Sequence, residues 1–371
     1  MNILHVSPLQ WDRISGLKTC IPPLARAQNA IDGVRSAIWI SLKNSQPLPE
    51  DFGVPIWQNR ALHIVGGDKI DLPTPFDRPD LAVIHSTYIP KHATVGRMLR
   101  RLDIPYILCP HSGLTRFAQR RPRLKKWLGN RLFFRRLVVG SAAIHFLTDV
   151  EQQESVTWGR PSFVVGNGTD LPDLSPHDRR DDLDVSRPLR FVYVGRLHIE
   201  YKGLDLLIDA CAQVAAELRQ RSATVELYGP DLSGSRTTLD RRIADAGIGD
   251  VLTISSPIHG EDKSDLLARS DVFLHTSRNE GHPMAVLEAL AHGLPCLLTP
   301  ATTMAETVES ADAGWHAKPH VESIAATLRE VLQASPEQLA AKRVAARQLA
   351  ERRFQWSVVA QQTVDGYRQF V

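Results

Sequence analysis

The stretch from Glu280 to Glu288, EGHPMAVLE, decides the fold of this 371-residue chain. It sets two carboxylates eight positions apart, with Gly281 and Pro283 between them and the apolar run ALA directly after. Pro283 suits the first turn of a helix, where its missing N–H costs nothing and its φ is already helical. The spacing therefore predicts Glu280 in a loop and Glu288 about a turn and a half inside a helix. The free amides of that first turn point back toward Glu280 and make an anion site.

Two glutamates at this spacing usually mark only a solvated helix face; here the flanks change the reading. Residues 271–277, DVFLHTS, read as a buried strand. Residues 293–299, GLPCLLT, read as a Gly-Pro turn feeding another strand. Strand, acidic loop, helix, turn and strand make a βαβ unit, whose strand-to-helix loop lies at the carboxyl edge of the sheet, where open α/β folds bind ligands. One acid on each side of a phosphate cradle suits a ligand with hydroxyls at both ends and phosphate in the middle. A nucleotide sugar has that layout.

Working outward, β-then-α patterns fill both halves of the chain. Residues 1–7, 36–41, 81–85, 106–109, 142–147 and 162–165 read as strands of the first half, with helices at 22–32 and 91–102. Residues 189–194, 224–228, 252–255 and 271–276 read as strands of the second, with helices at 203–219, 262–268, 322–333 and 336–352. This alternation predicts parallel sheets with right-handed crossovers, hence two Rossmann-like α/β domains. Residues 168–188, with three prolines and the cluster DRRDD, read as the linker. Neither half carries GxGxxG, and Gly16 is the only glycine of the first turn, SPLQWDRISGLKT. That weighs against a nicotinamide or flavin site.

Composition is that of a globular protein: 43% hydrophobic residues, 23% charged, and a mean hydropathy of −0.18. No apolar run reaches the roughly 18–20 residues of a membrane span. The start, MNILHVSP, lacks a signal peptide's basic region and cleavage site, which predicts a cytoplasmic protein. Cys20, Cys109, Cys211 and Cys296 are scattered among apolar neighbours and form no metal spacing, so buried thiols are expected. The net charge of +3 conceals an asymmetry. Residues 1–170 hold 22 Lys and Arg against 13 Asp and Glu, and the remainder holds 22 against 28. Two halves of opposite sign fit two domains with different neighbours.

Cationic partners for a diphosphate lie in VGRLHIEYKG, residues 194–203, directly after a strand. Gly195 permits close backbone approach. Arg196 grips phosphate oxygens through paired N–H donors, and Lys202 acts as a point charge. In the first half, His85 and His111 end neighbouring strands, and Gly113 leaves the His111 loop room for a ligand. Between Arg116 and Arg136 lie nine Lys and Arg and no acid, interleaved with Phe117, Trp127, Leu128, Phe133 and Phe134. Such a stretch suits an anionic membrane surface. A solvated helix face is the competing reading, and no motif supports nucleic-acid binding.

Together these features resemble the retaining GT-B glycosyltransferases of family 4, over essentially the whole chain. Glu280 and Glu288 match the family's two-glutamate signature, and Arg196 and Lys202 match its phosphate-binding cations. VVGNGTD, residues 164–170, matches the end of its first domain. Glu306 matches an acid that follows a Gly-rich loop, and residues 354–370 look like the final helix that crosses back onto the first domain. The resemblance implies domains at 1–168 with about 355–371, and at 169–354, facing a central cleft. The first would bind the acceptor and the second the nucleotide sugar.

It further implies His111, Glu280, Arg196 and Lys202 as catalytic residues. The donor would be bound by Gly16, Gly195, Arg196, Lys202, Ile258, Glu280, Gly281, His282, Pro283, Met284, Ala285 and Glu288, with Glu280 on sugar hydroxyls and Glu288 on the ribose. No metal or other cofactor is expected. The acceptor would be a lipid-linked or polysaccharide glycan, reached at the inner face of a membrane, and a front-face mechanism would retain the anomeric configuration. A small soluble acceptor, a phosphorylase reaction and a non-catalytic relative are the alternatives. Departures from the family pattern are Ser15 where a glycine often precedes Gly16, the glycine-free PATTMAE before Glu306, His282 in place of an aromatic residue, and YGPD at residues 228–231, without a second glycine. Thr302 and Thr303 could supply hydroxyls in place of the missing glycines.

Overall fold

The computed structural model describes residues 1–11, 16–49, 51–119, 123–173 and 188–371, with only the backbone at 123–125. Ser15 and the DRRDD cluster of the expected linker lie outside the described residues. The chain divides into two compact units, Met1–Gly168 with Trp356–Val371, and Thr169–Gln355.

The first unit is built on β1 (Asn2–Ser7), β2 (Arg35–Ile40), β3 (Ile56–Trp57), a small antiparallel hairpin of β4 (Ile64–Val65) and β5 (Lys69–Ile70), then β6 (Leu81–His85), β7 (Tyr106–Cys109), β8 (Ala143–Phe146) and β9 (Ser162–Val164). Seven of these form one parallel sheet in the order β3-β2-β1-β6-β7-β8-β9. Its central strands are buried on both faces, which is why they read as near-continuous apolar runs. Alternation sends Leu4, Val6, Ile84 and Leu108 into one core with Trp39 and Phe146. Ile3, Val83, Ile107 and Cys109 enter the other, which Val364 and Tyr367 of the C-terminal helix Trp356–Arg368 complete.

The second unit holds β10 (Arg190–Val194), β11 (Thr224–Tyr228), β12 (Leu252–Ser255), β13 (Val272–His275), β14 (Cys296–Leu298) and β15 (Gly314–His316) in a parallel sheet ordered β12-β11-β10-β13-β14-β15. Phe191, Tyr193, Leu227 and Leu274 face one core, and Val192, Phe273, Cys296 and Leu298 the other. Each such buried side chain contributes roughly 1.5–3 kcal/mol. Asp271, at the foot of β13, ties the strand starts together. It accepts from the Arg190 amide at 2.8 Å and pairs with Arg343 at 2.9 Å.

Several local expectations are corrected. The first helix runs Gly16–Asn29, six residues ahead of the expected start, and contains Pro22 and Pro23. Its buried face, from Cys20 to Gln28, outweighs two missing N–H donors. The single helix expected at 203–219 is two pieces, Leu204–Gln213 and Ala215–Gln220, and a short helix, Ile199–Lys202, precedes them across Gly203 at φ 61°. Pro283 is not in the first helical turn: with ψ 112° it is the residue before the helix Met284–Ala291. The strands β3, β4, β5 and β15 had no sequence expectation.

Candidate active site

In each sheet the strand order reverses beside the unit's first strand, between β1 and β6 and between β10 and β13. Open parallel sheets bind ligands beyond the carboxyl ends of the strands at such a point. The expected site residues of the second unit lie there: Gly195, Arg196 and Lys202 follow β10, and Glu280 follows β13.

Glu280 is mostly buried, and its Oε1 is the hub of the site. Lys202 Nζ forms an ion pair with it, His275 Nε2 lies 3.0 Å away, and the Ser277 hydroxyl donates at 2.9 Å. Oε2 bonds to no described residue. Burial pushes the Glu280 carboxyl upward, but the charge of Lys202 and the hydrogen bonds from His275 and Lys202 outweigh it and hold the group well below the usual carboxylate range. His275 is driven down by burial, which the bond to Glu280 only partly offsets.

The loop carrying Glu280 is fastened to the loop after β14. The Glu280 amide donates to Ala301 O at 3.0 Å, Thr299 Oγ1 donates to Ser277 O at 2.7 Å, and Thr303 Oγ1 donates to Gly281 O at 2.6 Å. Thr302 and Thr303 therefore serve the backbone: the Thr302 hydroxyl donates to Thr299 O. Glu306 is exposed in the first turn of the helix Ala305–Ser310.

Lys202 is nearly buried, with 10% of its side chain exposed, and it is aimed at Glu280. Its place depends on Gly203, because a Cβ there would collide with the Thr276 carbonyl in a backbone region that L side chains rarely adopt. Arg196 is exposed, and its guanidinium bonds to nothing among the described residues. Gly195 and Gly229 meet back to back at the ends of β10 and β11, where a Cβ on Gly229 would overlap Gly195 O. The second glycine absent from YGPD is thus not missed; Gly229 itself makes the close approach.

Glu288 lies in the helix Met284–Ala291 and pairs with Lys263 at 2.9 Å, a partner that sequence reasoning missed. Val286 N bonds back to Pro283 O at 3.1 Å, so Met284 and Ala285 present the opening amides of the helix. Ile258, Met284 and Ala285 are half-buried on one core. His282 is buried against Phe354, with ring centroids 5.7 Å apart. Burial, with the charge of Arg353, lowers its pKa to about 4, so it offers a neutral ring.

In the first unit, His111 is the end of a row of imidazoles. His5 Nδ1 lies 2.9 Å from His85 Nε2, and His85 Nδ1 lies 3.0 Å from His111 Nε2. Sequence reasoning found His85 and His111 but not His5. A histidine within the apolar strand MNILHVS was the available signal. His111 and Ser112 have φ of 48° and 64°, and the Glu151 carboxylate fixes this loop by accepting from the Ser112 amide at 2.5 Å and the Leu147 amide at 2.9 Å. Gly16 opens its helix, and a Cβ there would meet nothing within 4 Å among the described residues. Ser7 Oγ and Thr87 Oγ1, at the same sheet edge, are buried and have no partner among the described residues.

The basic segment forms Arg116–Gln119, Arg123–Gly129, a π-helical turn at Asn130–Phe134, and Arg135–Val139. Phe117, Trp127, Leu128, Leu132 and Phe133 are exposed, whereas Phe134 is buried against Tyr88. Among the described residues no helix is long and apolar enough to cross a membrane.

Comparison with known proteins gives the class. Residues 176–348 match the family described as Glycosyl transferases group 1, and residues 24–168 match the Glycosyl transferase 4-like domain. The structure superposes on HepE of Anabaena, solved with UDP and glucose, with a TM-score of 0.71 at 19% identity over all of both chains. The chain thus has the GT-B fold, and each of its two units matches a glycosyltransferase domain family. It is 26% identical to an MMP alpha-(1->4)-mannosyltransferase of Mycolicibacterium hassiacum, over 79% of this chain and 72% of that protein. It is 32% identical to a D-inositol 3-phosphate glycosyltransferase of Geodermatophilus obscurus, over 37% of this chain and 32% of that one. The latter match thus spans about a third of either protein.

Proposed function

We propose that this protein is a retaining hexosyltransferase that moves a sugar from a nucleotide-diphosphate donor to a hydroxyl of a glycan or lipid-linked acceptor. The observation that carries this reading is the Glu280 carboxylate, held ionised by Lys202 and His275 with Oε2 left open, one strand over from the exposed Arg196. In the proposed complex, Oε2 accepts from donor-sugar hydroxyls. Arg196 and the amides of Met284 and Ala285 neutralise the diphosphate, and Glu288 accepts from the ribose. The sugar C1–O bond breaks, the leaving phosphate takes the acceptor proton, and the new bond forms on the same face. Because fixed cations and helix amides stabilise the leaving charge, no metal is required. The first unit would take the acceptor, and the unpartnered hydroxyls of Ser7 and Thr87 suit a polyhydroxyl ligand.

The test is thermal unfolding against UDP, GDP, ADP, CDP and dTDP sugars in EDTA, followed by transfer assays with the stabilising donor. A shift with one nucleotide and transfer abolished in Glu280→Gln support the reading. A Glu280→Gln variant as active as the parent refutes it, and release of sugar phosphate when inorganic phosphate is supplied would assign a phosphorylase instead.

A membrane-bound acceptor is proposed from the exposed Trp127, Leu128, Leu132 and Phe133 beside Arg131 and Arg135. Flotation with anionic liposomes at low salt tests it, and failure to bind them removes the membrane from the proposal. The protein would then act in the cytoplasm on a soluble acceptor.

A further inference from the structure

The row of histidines in the first unit has a direction. Gln28 Oε1 stands at its inner end, 2.6 Å from Ser36 Oγ and 2.9 Å from His5 Nε2. The shorter contact is the length of an O–H···O bond, so Ser36 donates and the Gln28 atom is the carbonyl oxygen. His5 Nε2 must then carry a proton. A neutral imidazole has one donor and one acceptor nitrogen, so His5 Nδ1 accepts from His85 Nε2–H, and His85 Nδ1 accepts from His111 Nε2–H. The outer nitrogen, His111 Nδ1, is left with a lone pair and has no partner among the described residues.

Burial keeps the row neutral. It lowers His5 to about 4 and His111 to about 3, and holds His85 well below its ordinary value. The inner end is an amide, which neither takes up nor releases a proton, so the row fixes hydrogen positions and does not conduct. Alternation along the parallel strands places the row: His5 and His85 share the sheet face of Ile3, Val83 and Cys109. Cys109 lies close enough for one ligand atom each from Cys109, His85 and His111 to fall within 4.8 Å of one another. Those two imidazoles already bond to each other, and burial holds the thiol protonated.

We propose that His5 and His85, anchored on Gln28, are positioning residues that hold His111 as the neutral Nε2–H tautomer, with its Nδ1 lone pair as the ligand-facing atom. His111 then accepts a hydrogen bond from a hydroxyl and rejects an ionised phosphodiester oxygen, which has no proton to give. The identity of the hydroxyl ligand rests on the glycosyltransferase reading; the tautomer does not.

The experiment is nitrogen NMR of ¹⁵N-histidine-labelled, ligand-free protein at neutral pH, with His111 assigned through His111→Gln. The expected spectrum has a pyridine-type Nδ1 and a pyrrole-type Nε2 at His111. A proton on Nδ1, an averaged tautomer, an imidazolium, or displacement of the His85 and His111 signals by stoichiometric zinc each overturns the proposal. Sulfate, whose oxygens carry no proton at neutral pH, is expected to leave the His111 Nδ1 signal in place, and a shift on adding it counts against the hydroxyl preference. Gln28→Leu is expected to average the tautomers and reduce kcat/KM about tenfold, the loss of one neutral hydrogen bond, while Gln28→Glu keeps the tautomer. An unaltered His111 spectrum in Gln28→Leu refutes the anchoring role. Because the parent spectrum alone reads the tautomer, a variant that fails to fold does not shield the proposal. A correct tautomer in a protein that transfers no sugar would sink the functional reading and leave the row standing.

Discussion

Replacing Lys202 with methionine keeps the length of the side chain and removes the charge that holds Glu280 ionised. Both partners are mostly buried, with side-chain exposures of 10% and 14%. Taking away one partner of such a pair leaves a desolvated charge and costs about 3–5 kcal/mol. Ser277 and His275 still bond to the carboxylate, which places the cost near the lower end. For a unit of this size about 3 kcal/mol lowers the melting midpoint by roughly 6–12 °C at pH 7.

The pH dependence gives a second reading of the same cause. In the parent the folded-state pKa of Glu280 lies below its unfolded value. The pair therefore adds stability that is fully present above the ordinary carboxylate range and is lost as pH falls through the folded value. In Lys202→Met, burial prevails and the folded pKa rises above the unfolded one. The variant then pays its penalty at neutral pH and is relieved as pH falls through the raised value. The gap in midpoint between parent and variant, measured by scanning calorimetry, should narrow from pH 8 to pH 5. An unchanged midpoint at pH 7, or a gap that widens on acidification, would show that Lys202 does not control Glu280.

Arg196→Ala should leave the ligand-free midpoint unchanged, because the guanidinium is exposed and unbonded, and should weaken nucleotide-sugar binding at least tenfold by titration calorimetry. Equal affinity would remove Arg196 from the site. Gly203→Ala, which drives a Cβ into the Thr276 carbonyl at positive φ, should cost about 3 kcal/mol in denaturant unfolding. A loss under about 1 kcal/mol would show that the loop relaxes freely. Trp127→Glu with Phe133→Glu should abolish liposome flotation without moving the melting midpoint, since both side chains are exposed; undiminished flotation assigns the contact elsewhere.

The parallel sheets were legible because their central strands are buried on both faces, and an apolar run between turn residues is then the dominant pattern. The position of Glu280 was legible for the same reason: it lies in the loop that leaves the buried VFLH. What sequence could not give were distances between elements far apart in the chain. Lys263 reaches Glu288 from the preceding helix, and no spacing announces it. Lys202 read as a free phosphate ligand because its direction is set by Gly203, whose positive φ turns the chain after the short helix. Pro283 was placed one residue too deep because a helix-compatible φ does not reveal ψ, and ψ excludes it from the first turn. The strands β3, β4 and β5, of two residues each, are too short to carry a period.

The burial of the four cysteines has a practical consequence. Cys20, Cys109, Cys211 and Cys296 are at most 4% exposed, and burial raises every one of these thiols, Cys20 and Cys211 to about 12. Thiolate is the species that reacts with maleimides, so the native chain is close to silent toward such reagents. A cysteine introduced at Gly249, where a Cβ meets nothing within 4 Å, would be the preferred labelling point in the second unit, and one in place of exposed Arg97 would serve the first. Dyes at those two places would let single-molecule fluorescence follow the units during turnover, with no background thiol to delete.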